Sequence, residues 1–333
     1  MLKRARLEKR TFPLLITFAP VKSRMTMQQK PSTREEYAKR IYSVIEFINN
    51  HLADDMDLEM LAGISHFSVY HFHRIFKAFA GEPLGAFITR MRVETAARLL
   101  RYSDMPIEEI TYKVGYDVPS SLSKVFKQYY AITPTDYRNH KKYTIMKPFK
   151  MNPDLVLEEK VVVLEPKQAI YIGLTGDYKN NDYALAWHKL WSYLKSSGEF
   201  TREMEGIASS MPISQIIGKM LQECKIAHVA IYHDDPKITE AQKQRADICL
   251  VLPFQMEPKG EIGVKEIAGG KYASFLYTGP YSQLDEVYDT IFGKYIPNGG
   301  YQVDARPLFE IYLNDPACTQ PEKLQTEIFV PVL

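Results

Sequence analysis

Arg74-Ile75-Phe76-Lys77 returns 50 residues later as Lys124-Val125-Phe126-Lys127, and this recurrence decides how the first half of the chain is read. Two positions before each basic residue stands an apolar one, Phe72 or Leu122, and an aromatic follows, Phe79 or Tyr129. Each phrase is followed by a proline and a short helical run, starting at Pro83 and at Pro134. Each is preceded by a short helix expected to end in a glycine turn, at Gly63 and at Gly115. Helix, tight turn, helix, met twice in tandem, reads as two helix-turn-helix units, which set their second helix in the major groove of DNA.

Helical spacing divides the polar and apolar residues of both second helices. On the first, residues 67–79, Phe72, Ile75, Phe76 and Phe79 share one face and are expected inward, leaving Tyr70, His73, Arg74 and Lys77 for DNA. An arginine there can hold guanine O6 and N7 as a bidentate pair. The second helix offers Ser120, Ser121, Ser123, Lys124 and Gln128 around Leu122, Val125, Phe126 and Tyr129, which are expected inward. Serine hydroxyls bond phosphates more readily than they read bases, so this half is expected to be less sequence-specific. The plainer reading is a pair of solvated helix faces; recurrence in tandem argues against it. His71 and His73 point about 200° apart on a helix, so they make no metal pair.

Around these units, Ser32-Thr33-Arg34-Glu35-Glu36 reads as an N-cap and acidic first turn. It opens a helix whose stripe is Ile41, Val44, Ile45, Ile48 and Leu52. The first unit spans about residues 57–80, a longer helix at 84–102 follows, and the second unit spans about 105–130.

The net charge of +2 conceals a division near residue 150: the first 150 residues carry 25 Lys/Arg against 15 Asp/Glu, the remainder 17 against 25. A basic half joined to an acidic half fits a nucleic-acid module fused to something that does not touch phosphate. Much of the basic excess lies in the first 33 residues, where Lys3, Arg4, Arg6, Lys9 and Arg10 precede an apolar run. No small-x-small cleavage site follows, so the expectation is an N-terminal arm without order, or an artefact of the start with Met25 or Met27 as the natural one. Cys224, Cys249 and Cys318 are scattered and odd in number, which fits neither a disulfide framework nor a zinc site and matches the reducing cytoplasm. No apolar run reaches the roughly 20 residues of a membrane span.

Beyond the basic, proline-bearing segment 144–154, read as a linker, alternating runs replace the helical period. Strands are expected at 161–164, 169–174, 228–232, 248–252, 273–277, 308–313 and 328–332, with helices at 184–195 and 283–295. This half also repeats: Thr175-Gly176-Asp177-Tyr178 answers Thr278-Gly279-Pro280-Tyr281, and Ile231-Tyr232-His233-Asp234-Asp235-Pro236 answers Ile311-Tyr312-Leu313-Asn314-Asp315-Pro316. A β-helix-β-β module occurring twice, with extra residues near 200–223 in the first copy, would leave a cleft at the junction. The fold class is therefore α + (α+β): an all-α tandem helix-turn-helix domain, then a pseudo-two-fold sheet-and-helix domain.

Glu310 interrupts an otherwise apolar strand, and its repeat-equivalent position is Ala230. A charge in that place must be paired or used. The functional reading is an anionic anchor for a cationic or hydrogen-bond-donating ligand, walled by Tyr171, Trp187, Trp191, Tyr277, Tyr281 and Tyr312 for cation–π contact. The plainer reading is a salt bridge to Arg306 or a lysine, or simple exposure on an edge strand. No phosphate-binding loop, dinucleotide fingerprint or nucleophile elbow is present, so no cofactor is expected.

These residues resemble known families. Residues 34–143 resemble the DNA-binding domain of AraC/XylS-type regulators, whose second half typically runs Gly-Tyr/Phe, Ser-x-Phe-Ser-Arg-x-Phe-Lys, Pro-x-x-Tyr-Arg. Here these are Gly115-Tyr116, Leu122-Ser123-Lys124-Val125-Phe126-Lys127 and Pro134-Thr135-Asp136-Tyr137-Arg138. Leu122 departs from the usual aromatic and Lys124 from arginine. Tyr130-Ala131 replaces the common Phe-Gly, which makes a left-handed helix cap costlier. Residues 155–333 resemble the gyrase-inhibitor-like effector-binding domain through Thr278-Gly279-Pro280-Tyr281, Arg306-Pro307-Leu308-Phe309-Glu310-Ile311-Tyr312 and Thr326-Glu327-Ile328-Phe329-Val330-Pro331. The resemblance implies that Glu310 lines a ligand pocket. It also implies promoter DNA, a small, cationic amphipathic effector and RNA polymerase as partners. The rival reading is a hydrolase using Glu310 with Tyr312 or Tyr281; a third is a ligandless DNA-architectural protein.

Overall fold

The computed structural model describes residues 33–139, 150–200 and 226–333. The expected arm, the first part of the linker and the extra residues of the first copy lie outside them. Seven helices come first: α1 (Thr33–Asn50), α2 (Leu58–Ile64), α3 (Val69–Ala80), α4 (Leu84–Tyr102), α5 (Ile107–Lys113), α6 (Pro119–Tyr130) and α7 (Pro134–Asn139).

The two units repeat in their ends as well as their sequence. Asp57 caps α2 by accepting from Met60 N at 2.7 Å, and Ser68 caps α3. The turn between α2 and α3 departs from expectation. Gly63 stays inside α2 and His66 takes the left-handed position, φ 53°, whereas Gly115 takes it in the second unit. After α3 the left-handed residue is Gly81, after α6 it is Ala131 at φ 57°. An alanine there costs about 1–2 kcal/mol of strain, yet α6 ends at the same repeat position as α3. Each unit has its own core: Ile41, Val44, Ile48, Phe72 and Phe76 in the first, Val93, Leu99, Ile110, Leu122 and Phe126 in the second, with α4 feeding both.

The remainder is an eight-stranded antiparallel sheet of β1 (Glu158–Leu164), β2 (Lys167–Thr175), β3 (Ala227–Tyr232), β4 (Arg245–Val251), β5 (Gly263–Ile267), β6 (Gly270–Thr278), β7 (Leu308–Tyr312) and β8 (Gln325–Pro331). The strand order is β1-β6-β8-β7-β3-β4-β2-β5. One face is covered by α8 (Tyr183–Lys195), packed on Ile170, Ile172, Ile248 and Leu250, and by α9 (Leu284–Thr290), packed on Ala273, Phe275, Tyr277 and Ile328. Helix α9 continues through a π-helical stretch, Ile291–Tyr295, into a last turn, Ile296–Asn298. Seven of the strands were expected; β5 was not. Among the described residues no helix is long and apolar enough to cross a membrane.

The helices dock on the other face of the sheet and against its loops. From α1, Tyr42 donates to Gly173 O at 3.2 Å, and Glu46 Oε2 meets Lys265 Nζ at 2.6 Å. Lys265 also meets Asp247, which binds His233 Nε2, each at 2.6 Å. These carboxylate contacts hold the Asp247 carboxyl well below its ordinary range despite burial.

Candidate functional site

The helical half presents two outward faces. On α3, Tyr70, His73, Arg74 and Lys77 are exposed, with Arg74 over the Tyr70 ring at 5.8 Å, while Phe72 and Phe76 are fully buried. On α6, Ser120, Ser121 and Lys124 are exposed and Ser123 is half-buried. Tyr129, expected inward, is 43% exposed. Tyr130 takes the inner place instead, its ring 4.8 Å from Phe126 and stacked on Tyr137.

The sheet half holds a cleft of about 2180 Å³ between α8 and α9, floored by the central strands β3 and β7. The register sets Ala230 opposite Glu310, so a methyl group leaves space where a second carboxylate could have stood. Glu310 is 1% exposed. Tyr288 donates to its Oε1 and Tyr312 to its Oε2, both at 2.6 Å, and Tyr232 approaches Oε2 at 3.4 Å. Burial raises the Glu310 pKa, and the three phenols pull it partly back. Arg306, offered by the plainer reading as its salt-bridge partner, instead binds Asp304 at 2.7 Å. Glu310 therefore has hydroxyl partners and no cationic one among the described residues.

Trp187 and Trp191, one helical turn apart on α8, form a wall of the cleft with His228 of β3. Trp191 Nε1 donates to His228 Nε2 at 2.9 Å, and burial pulls the imidazole pKa down to about 4, so the ring is a neutral acceptor. Tyr281 lies edge-on to Tyr312 at 5.4 Å, and Trp187 to Tyr312 at 6.3 Å. Trp187, Trp191, Tyr281 and Tyr312 are thus brought together around Glu310.

Two of the expected wall residues are not. Tyr171 stands between Ile170 and Ile172, which face α8, so strand alternation sends its ring to the opposite face, 4.6 Å from Lys265 Nζ. Tyr277 is on the cleft side of the sheet but is sealed in the core under α9, its hydroxyl donating to Gln283 at 2.9 Å. Sequence reasoning missed Tyr232, Tyr288 and His228. A signal existed for Tyr232, which is the repeat partner of Tyr312 and shares a strand face with Ala230. None existed for Tyr288, placed by the rotation of α9.

Among the described residues no group of three or more His, Cys, Asp or Glu is positioned to hold a metal ion. The arrangement offers a buried carboxyl held by phenol hydroxyls inside a cleft with aromatic walls.

Comparison with known proteins agrees with both halves. Residues 158–333, more than half of the chain, match the GyrI-like small molecule binding domain, and residues 61–140 match a helix-turn-helix domain. The multiple antibiotic resistance protein MarA of Salmonella typhimurium is 30% identical over 107 residues, which are 32% of this chain and 84% of MarA. The regulatory protein PocR of the same organism is 35% identical over 99 residues, 30% of this chain and 33% of PocR. The HTH-type transcriptional regulator YbfP of Bacillus subtilis is 29% identical over 177 residues, 51% of this chain and 57% of YbfP. The chain thus spans about a third of PocR and somewhat over half of YbfP. With one family matched across more than half of the chain and the other across its helical half, the chain belongs to the AraC-type DNA-binding regulators that carry a GyrI-like small molecule binding domain.

Proposed function

We propose that this protein is a promoter-binding transcription regulator of the cytoplasm, with RNA polymerase as a further partner, whose sheet half senses a cationic amphipathic molecule. The chain divides into an arm at 1–33, a DNA-binding domain at 34–143, a linker at 144–154 and an effector domain at 155–333. Helices α3 and α6 enter successive major-groove segments on one side of the duplex, roughly 34 Å apart, using Tyr70, His73, Arg74 and Lys77 from one and Ser120, Ser121, Ser123 and Lys124 from the other. The sheet is two copies of one module; in support, its strands correspond when counted from either edge, β1 with β5, β6 with β2, β8 with β4 and β7 with β3.

The observation that carries the effector reading is Glu310, a buried carboxylate whose hydrogen-bond partners among the described residues are hydroxyls, inside a cleft with indole and phenol walls. A cation entering there gains the charge partner that the protein withholds, and its apolar part gains aromatic contact. The hydrolase reading needs a hydroxyl that gives up its proton, and burial beside Glu310 pushes the Tyr281 pKa up to about 12 and that of Tyr312 well above the ordinary phenol value.

A thermal-shift screen of quaternary ammonium compounds with aromatic groups, run on the full chain beside Glu310→Gln, tests this. The expected hit raises the melting temperature of the wild type, fails on the variant and is recovered unchanged by mass spectrometry. Equal stabilisation of both proteins would remove Glu310 from the site, and a converted compound would favour the hydrolase.

A further inference from the structure

The cleft does not end inside the sheet half. Arg98 and Tyr102, from the last turns of α4, line it too. Tyr102 belongs to the hydrophobic core under α9, 8% exposed, with its ring 4.6 Å from Phe292, another lining residue. Its hydroxyl donates to Asp235 Oδ2 at 3.2 Å. Arg98 donates to Ala305 O, across the same boundary.

Asp235 lies near the start of the loop between β3 and β4, and that loop has three attachments. Just before it, Tyr232 reaches Glu310, and Tyr178, edge-on to the Tyr232 ring, donates to Asp234 O at 3.1 Å and Arg245 O at 2.9 Å. In its middle, Lys237 Nζ meets Asp289 at 2.8 Å, and Asp289 follows Tyr288, a donor to Glu310. One residue later, Ile238, 4% exposed, belongs to the same hydrophobic core as Val93, Ala97, Leu122 and Tyr137 of the second helix-turn-helix unit. Only five residues of chain lie between Tyr232, which touches Glu310, and Ile238, which is seated in that unit.

We propose that helix α4 of the DNA-binding domain is part of the effector site, closing its inner end with Tyr102 and Arg98, and that the β3–β4 loop reports occupancy to the second helix-turn-helix unit. This rests on the effector reading above and adds a length requirement to it. The charged head of the effector sits at Glu310, and its apolar part must reach the Phe292–Tyr102 pair to act on α4. A ligand too short to do so binds without signalling. The first unit is attached separately, through α1: Glu46 and Tyr42 hold it to the opposite face of the sheet, and Asn49 accepts from Arg245 at the far end of the loop.

The test uses the full chain with two probes, tetramethylammonium as the head alone and octyltrimethylammonium below its micelle concentration. Trp187 and Trp191, the chain's two tryptophans, both line the cleft, so their fluorescence reports binding. Hydrogen exchange at saturation reports the response. Both probes are expected to bind in a Glu310-dependent manner. The long one alone should slow exchange at least threefold in residues 95–102, 107–130 and 233–239, leaving 58–80 unchanged. Ile238→Ala, which lies outside the cleft, should keep octyltrimethylammonium binding and lose the response in 107–130. Glu310-dependent binding of the long probe with unchanged exchange in these segments would overturn the proposal and leave the effector reading standing. No Glu310-dependent binding of either probe would overturn both. The comparison of the two probes needs no variant, so a poorly folding Ile238→Ala leaves it intact.

Discussion

In the folded chain Glu310 trades bulk water for three phenol hydroxyls, and that exchange leaves its carboxyl pKa above the ordinary value of 4.5. Between the two values the folded state holds a proton that the unfolded state has released. Stability therefore falls as pH rises through that window and stays lower above it. Glutamine keeps the shape and loses the charge. The unliganded Glu310→Gln protein is expected to melt above the wild type at pH 7.5, by on the order of 1 kcal/mol, with the difference closing as pH falls toward 4.5. Thermal denaturation across that pH range measures it, and a variant less stable at every pH would show that the phenols stabilise the charge completely. Glu310 was legible from sequence because a charge in an apolar strand, absent from the repeat partner, has few physical excuses. Its surroundings were legible only in part. Trp187 and Trp191 share a helix face by spacing alone, and strand alternation could have removed Tyr171. Tyr288 depends on how α9 is rotated over the sheet, which local periodicity does not encode.

At the scale of elements, the helices were the most readable feature, since a buried stripe every three or four residues leaves few alternatives to α1, α3 and α4. The turn residues were less so: His66 adopts the left-handed conformation where Gly63 was expected, because the turn closes three residues later, with Phe67 N bonded to Ala62 O. Strand β5 escaped because Lys265 and Glu266 interrupt a five-residue edge strand, and Lys265 is buried only through its ion pairs with Glu46 and Asp247. Helices α3 and α6, proposed above to enter the DNA grooves, differ chemically in a way that yields a prediction. Arg74 on α3 can form a planar bidentate pair with a base, whereas Lys124 on α6 is a point charge suited to phosphate. Against duplexes selected from a random pool by the full chain, Arg74→Ala is expected to cost about 1–3 kcal/mol and to relax preference at one base pair. Lys124→Ala should weaken all sequences alike and reduce the slope of log affinity against log salt by about one. Equal loss of sequence preference in both variants would contradict the division of labour between the helices.

At the scale of the whole molecule, the boundary between the halves exchanges residues in both directions. Tyr102, the last residue of α4, lies in the core beneath α9, and Ile238, from a sheet loop, lies in the core of the second helix-turn-helix unit. Charged groups cross as well. Arg245 forms a buried pair with Asp234 at 2.7 Å and also bonds Asn49 of α1 at 2.9 Å, with its guanidinium 5.5 Å from the Phe87 ring. Lys113 reaches Asp304 at 3.0 Å. None of this was visible in the sequence, where the charge division near residue 150 argued only for a nucleic-acid module fused to a part that does not touch phosphate. Separating the halves would expose Ile238 and Tyr102 and strip Lys265 of Glu46, one of its two carboxylate partners. Uncovering apolar side chains costs roughly 1.5–3 kcal/mol each, and breaking a buried ion pair about 3–5 kcal/mol. A loss of that size is comparable to the stability of a typical domain, so neither half should survive the unfolding of the other. Calorimetry of the full chain is therefore expected to give one transition whose van't Hoff and calorimetric enthalpies agree. Ile238→Asp, which puts a charge into the helical core without touching the cleft, should split it into two, the helical half melting first. Two resolved transitions in the wild type would mean that the contacts across the boundary are too weak to join the domains, and an effector acting on α4 would then have no rigid path to follow.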